Sequence, residues 1–238
     1  MDSLHLLLTL QEHDTHLDQI RHRRRSHPLR EALAAAQQEA AGAQRVMENA
    51  DAQRTAVGAR QAALEAEVAT LEDHLTSVER RLYSGEVSAA RDLQALDEQA
   101  AVLRRKRGEM EDQLLVVMEE AEAADAEASE ARVAADAAAL KVETASADLA
   151  VVDAEIQQEE QAEMAERQEA AASIPADLLA RYEKLRDRLG GVAVARLVNG
   201  VCGGCHLTLS ATEMDRVRHL PTDQPVSCEQ CGRILVRA

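Results

Sequence analysis

The chain has 238 residues, 46% of them hydrophobic, yet only two aromatic side chains, Tyr83 and Tyr182, with no Phe or Trp. A globular core of that length would draw much of its buried area from aromatics, so an apolar content made mostly of Ala, with Leu and Val, points to paired helices instead. The formal net charge of −16 opposes nonspecific attraction to nucleic acid or anionic lipid over most of the surface, and no apolar run approaches the roughly 20 residues that span a bilayer.

The N-terminal LHLLLTL is short, is interrupted by His5 and has no basic flank before it. It is therefore not read as a signal peptide, and the chain is expected in the cytoplasm with no membrane contact. Leu6, Leu10, His13, Leu17 and Ile20 mark a first short helix. Pro28 removes a helical donor and disfavours helix at His27, so a break there is expected. His13 and His16, with Glu12 and Asp14, have helical spacing for a metal, but His13 falls on the apolar seam and packing is its expected role.

From Leu29 to Leu82 apolar residues recur in alternating steps of four and three, with Arg54 and Gln61 as the breaks. A second series runs from Leu96 to Ile156 with Arg107 as its one internal exception. A repeat of 3.5 residues sustained this far is the seam of a coiled coil. Between the two series, Gly85 can take the left-handed conformation that ends a helix and Ser88 can cap the next, so the chain turns back near 83–88. Folded antiparallel about that turn, Val78 meets Leu96, Leu71 meets Leu103 and Leu64 meets Met110. The acidic stretch from Glu119 to Asp136 is expected to be a solvated helix face.

After Ala172, SIPADLLARYEKLRDRLGG reads as a linking helix with Pro175 near its first turn and Gly190-Gly191 at its end. Strands are expected at Val192 to Val198, His206 to Leu209 and Arg233 to Val236. Ser210-Ala-Thr-Glu213 is a capping box that opens a short helix running from about Ala211 to His219. The expected organisation is a mainly α chain: an antiparallel coiled-coil hairpin over 1–173, a linking helix over 174–191, and a small C-terminal ribbon over 192–238.

All four cysteines lie in that last segment, as Cys202-Gly-Gly-Cys205 and Cys228-Glu-Gln-Cys231. Each CxxC turn brings two sulfurs onto one ion, and two such turns complete a tetrahedral four-thiolate shell with no open position. The expectation is one structural Zn2+ at Cys202, Cys205, Cys228 and Cys231. Iron has the same ligand set, and spacing does not exclude it. A disulfide pair fits poorly in a reducing compartment, and a redox CxxC would want a surrounding βαβ pattern that the preceding chain does not show.

LLLTLQEHDTHLDQI near the start, RLYSGEVSAARDLQALDEQ at the turn, RYEKLRDRLGG before the ribbon, and NGVCGGCHLTLS with CEQCGRIL at the end resemble a bacterial family. Its members are long helical hairpins ending in a C4-type zinc ribbon, classed as a domain of unknown function. The likeness covers essentially the whole chain. It implies zinc at the four cysteines and a regulatory or scaffold role, with nucleic-acid binding and links to transcription and flagellar regulation suggested for relatives. Glu229 departs from the proline usual in the second knuckle, which implies a less rigid loop with ligation intact.

For function, the leading expectation is a non-enzymatic adaptor or regulator that binds protein partners, because exposed helical faces and a strand edge both suit recognition. The alternative is RNA or DNA binding through the ribbon and the basic cluster Arg21, Arg23, Arg24 and Arg25. The ribbon is near neutral and has no aromatic stacking platform, which favours the protein partner. The cluster is expected to pair across the hairpin with Asp148, Asp153 and Glu155. Tyr83 and Gly85 at the turn are the other candidate partner-binding residues, with shaping of the turn as their competing role. Self-association is left open. No nucleophile elbow, phosphate loop or zinc-protease helix occurs, so no enzyme activity is expected.

Overall fold

A computed structural model describes residues 3–221 and 224–237, so the outermost residues of the first and last expected segments lie outside it. In chain order the elements are α1 (Ser3–Arg25), α2 (Pro28–Tyr83), α3 (Ala90–Ala172), α4 (Ala176–Arg188), β1 (Val194–Val198), β2 (Val201–Cys202), α5 (Ala211–His219), β3 (Val226–Ser227) and β4 (Ile234–Arg237). They divide into two compact units, one of residues 32–146 and one of residues 1–31 with 147–238. The helix break falls at Ser26-His27, as the proline requires.

The first unit is the paired length of α2 and α3. Leu75, Val78, Leu96 and Ala100 form one buried cluster, and Ala50, Ala128 and Ala131 another with Met47 against it. Ion pairs bridge the two helices beside the seam: Arg104 with Glu79, Arg60 with Glu120, Arg132 with Asp51 and Lys141 with Glu39. In heptad terms these join e to e and g to g, which occurs only when the helices run antiparallel.

The same pairs shift the register from the one expected. They place Val78 opposite Ala100 and Ala50 opposite Ala128, about one turn further along α3 than a match of Val78 with Leu96. Folding the two series about the turn set like heptad positions against each other, whereas the layers here set a against d. At the turn Gly85 has φ 78° as expected. Ser88 does not cap α3, because the Ala89 carbonyl accepts the first helical bonds from Asp92 and Leu93.

In the second unit the four strands form one sheet in the order β2-β1-β4-β3, with β1 and β4 parallel and the outer pairs antiparallel. Side chains alternate between its faces. Val194, Ile234 and Val236 pack with Leu4, Leu7, Leu8 and Leu10 of α1 and with Tyr182 and Leu185 of α4. Ala195, Leu197 and Leu235 pack with Val217 of α5, Cys202 and Cys228. One face of the sheet thus rests on α1 and α4, and the other on α5 and the cysteine loops.

One strand expectation changes. His206 to Leu209 contributes only an isolated bridge from Thr208 to Val201, and the strand lies instead at Val201–Cys202. Asn199 and Gly200, with φ 51° and 76°, join β1 to β2 by a two-residue hairpin turn. Positive φ at both central residues matches the right-handed twist of the flanking strands, and Asn-Gly is the pair that adopts it most cheaply. Helix α5 begins where its capping box puts it: Ser210 Oγ accepts from the Glu213 N–H at 3.2 Å, and Glu213 Oε2 accepts from the Ser210 N–H at 2.8 Å.

Candidate metal centre and its support

The two CxxC turns approach each other across the sheet end. All four Sγ atoms lie within 4.8 Å of one another, with Cys202 to Cys231 and Cys205 to Cys228 both 3.9 Å apart. Four sulfurs at about 2.3 Å from one ion stand about 3.8 Å apart at tetrahedral angles, so the spacing fits zinc. Each turn is closed by a backbone bond, His206 N–H to the Cys202 carbonyl and Gly232 N–H to the Cys228 carbonyl, both 2.8 Å. In CGGC the glycines give clearance. A Cβ on Gly203 would stand 3.0 Å from the Arg196 carbonyl, and one on Gly204 would strike the Arg233 side chain.

Backbone N–H groups also point at the sulfurs, from Gly204 and Cys205 at Cys202 and from Gln230 and Cys231 at Cys228. As free thiols the group is uneven. Burial pushes Cys228 up to about 12 and Cys202 upward, against those N–H groups. Burial works against ionising Cys231 as well, but the Arg233 N–H and side chain outweigh it and bring that thiol down to about 7. Buried thiols that resist ionising alone are held as thiolates by a dication, which releases their protons on binding. The four cysteines fit one structural zinc ion.

The second knuckle has its own support. Arg216 of α5 donates to Glu229 at 2.7 Å, so Glu229 ties the loop to the neighbouring helix. Glu213, which closes the capping box, is held below the usual carboxylate range chiefly by the Ser210 N–H.

A larger support was not anticipated. Gln11 of α1 clasps β1: its Oε1 accepts from the N–H groups of Ala193 and Val194, both at 2.7 Å, and its Nε2 donates to the Val194 carbonyl at 2.9 Å. One turn on, Asp14 is buried at 3% exposure and accepts from Tyr182 Oη at 2.6 Å and Arg167 Nε at 3.1 Å. Arg186 Nε stands 3.5 Å from the same carboxylate and its Nη2 donates to Asp18 at 2.6 Å. Burial, then Asp14, push the Tyr182 phenol well above its ordinary range. The seam position assigned to His13 therefore belongs to Asp14. His13 and His16 lie beside it, both bonded to Glu163, at 2.7 and 2.9 Å.

The remaining candidates are placed as follows. Arg21 pairs with Glu160, Arg23 with Glu159, and Arg24 with Asp153 and Glu160, while Arg25 is exposed. Of the expected acidic partners only Asp153 is used, and it also holds Arg30 at 2.7 Å. Tyr83 is 75% exposed at the end of α2, and Gly85 has open space around it.

An antiparallel helical hairpin joined to a four-thiolate ribbon defines a zinc-ribbon coiled-coil protein. The model of the CT398-like coiled coil hairpin domain matches residues 10–190 and that of the C4-type zinc ribbon domain matches residues 201–235, and the chain belongs to this family. It is similar to an uncharacterized protein of Mycobacterium tuberculosis strain H37Rv, at 29% identity over 161 residues, 67% of this chain and 64% of that protein. The match thus spans less than two thirds of that relative's length. A solved structure from Mycobacterium smegmatis matches with TM-score 0.74 and 26% identity, covering 99% of this chain and 97% of the other. CT398 from Chlamydia trachomatis shares the fold, with TM-score 0.74 and 20% identity over 100% of this chain and 98% of that one. Among the described residues no helix is long and apolar enough to cross a membrane.

Proposed function

We propose that the chain is a non-enzymatic adaptor or regulator that binds protein partners, working in the reducing cytoplasm. One observation carries this reading: most arginines of the candidate cluster and of the ribbon are already paired within the chain. Arg21, Arg23 and Arg24 pair with α3, Arg216 pairs with Glu229, and Arg233 and Arg237 donate to backbone carbonyls. Phosphate binding draws on free cations, and in this cluster and the ribbon Arg25 and Arg218 alone lack an ion-pair or hydrogen-bond partner among the described residues. The zinc has a structural part, since thiolates take all four positions and leave none for water or substrate.

Exposed Tyr83 is an amphipathic aromatic of the kind that anchors interfaces, and Gly85 sets the turn that presents it. Affinity purification of the wild type beside Tyr83→Ala with Gly85→Ala, and beside Cys228→Ser, tests both ends. The reading expects at least one variant to lose a partner. RNA and DNA binding measured at two salt concentrations for the Arg21, Arg23, Arg24 and Arg25 to Gln variant tests the alternative. Salt-dependent binding that disappears in that variant overturns the protein-partner reading in favour of nucleic acid.

A further inference from the structure

Helix α3 carries a second 3.5-residue stripe that the hairpin does not use. Val116, Ala123, Ala126, Val133, Ala137 and Leu140 recur at heptad spacing on the side opposite the seam, with Glu119 and Glu130 filling the gaps. All are exposed, Val116 by 56%, Val133 by 67% and Leu140 by 62%. Glu119, Glu122, Glu127, Glu130, Asp136 and Glu143 lie within or beside the stripe, and none has an ion-pair partner among the described residues. The two cations of this stretch, Arg132 and Lys141, reach instead to Asp51 and Glu39 of α2. The outward face is therefore apolar along its middle except at Glu119 and Glu130, and acidic at its edges.

We propose that this face of α3, from Val116 to Glu143, docks an amphipathic helix of another protein whose apolar stripe is flanked by Lys or Arg. The proposal rests on the protein-partner reading and gives it a surface and a partner chemistry. A 3.5-residue apolar repeat selects a helix, because only a partner of the same period keeps knobs in register with holes over four heptads. The unpaired carboxylates select the sign of its flanks, and opposite charges beside a helical seam set partner choice. A second copy of this chain is disfavoured, since it would bring the same carboxylates against each other.

The test uses the full zinc-loaded chain and three labelled peptides of equal length: Leu at a and d with Lys at e and g, the same with Glu at e and g, and a scramble of the Lys peptide. Binding is read by fluorescence anisotropy at low and physiological salt. The Lys peptide is expected to bind and to weaken with salt. Val133→Gln with Leu140→Gln is expected to weaken it about tenfold or more, and Glu122→Gln with Asp136→Asn and Glu143→Gln to weaken it and flatten the salt dependence. These positions are exposed, so circular dichroism should show an unchanged helix content. Exposed Leu207→Gln in the ribbon should leave binding intact.

Equal binding of the scramble, no binding of the Lys peptide, or indifference to Val133→Gln with Leu140→Gln overturns the proposal. So does a concentration-dependent dimer in sedimentation that the same double substitution abolishes, which would assign the face to a second copy. Loss of partners in the Tyr83→Ala, Gly85→Ala variant alongside indifference to the stripe variants would leave the adaptor reading standing with a different surface.

Discussion

Replacing Asp14 with alanine tests whether the Asp14 network holds the helices against the ribbon. The wild-type carboxylate takes a 2.6 Å bond from Tyr182, which is fully buried, and bonds or ion contacts from Arg167 and Arg186. A hydrogen bond to a charged group contributes about 1.5–3 kcal/mol, and leaving the buried phenol without a partner costs about 1–3 kcal/mol. Arg167 keeps Glu183 and Arg186 keeps Asp18, so the two guanidinium groups add little. The expected loss is about 3 kcal/mol, or a Tm drop on the order of 10 °C for this unit.

In a Tyr83→Phe background Tyr182 is the only tyrosine, and the chain has no Trp, so its emission and 295 nm absorbance report this site alone. The folded phenol keeps its proton where an unfolded one loses it. Its contribution is therefore present in full below about pH 10 and is lost as pH rises from there toward the folded value. Wild-type Tyr182 should ionise only as the unit opens, and Asp14→Ala should bring that ionisation to lower pH. Adding Tyr182→Phe should cost less in Asp14→Ala than in wild type, by about 1 kcal/mol or more, with denaturation followed by circular dichroism. A loss below about 0.5 kcal/mol for Asp14→Ala, with normal Tyr182 titration already in wild type, would refute the reasoning.

Gln11→Ala removes three bonds to the Ala193–Val194 backbone and should destabilise this unit by about 2–3 kcal/mol, with faster hydrogen exchange at the Val194 amide as the local reading. Purified protein should contain one zinc per chain. Acidification should release it as the thiolates reprotonate, and a chelator should unfold the ribbon while most helical dichroism remains. Arg107 sits half-buried on the seam with its Nε 3.1 Å from Glu111 yet misaligned for a hydrogen bond. Arg107→Leu should therefore raise the thermal stability of the hairpin by about 1 kcal/mol.

Much of the fold was legible because its signals are periodic and local. The seam series from Leu33 to Leu82 and from Leu96 to Ala145 is buried or half-buried throughout, apart from exposed Arg54. The capping box placed α5, Pro28 placed the first break, and the CxxC spacing placed the sulfurs. What failed were choices between near-equivalent pairings. Reflection about the turn leaves the register open by a turn of helix, and the flanking charges distinguish the antiparallel layers. The Asn199-Gly200 pair is a hairpin signal for β2, whereas His206 to Leu209 contributes only the Thr208 bridge.

The sequence by itself determined the helical hairpin, its seam and the four-thiolate zinc ribbon, since each follows from spacing along one segment. Only the tertiary structure decided which polar residues of α1 face inward. Gln11 and Asp14 look like surface residues in sequence, because their partners Val194, Arg167 and Tyr182 lie more than 150 positions away and pattern reading treats a polar residue as solvated. Folding brings those donors and acceptors together, and burial strengthens each bond by excluding water. The fate of the Arg21 to Arg25 cluster has the same origin: three of its arginines meet Asp153, Glu159 and Glu160, a choice made by the packing of α1 on α3.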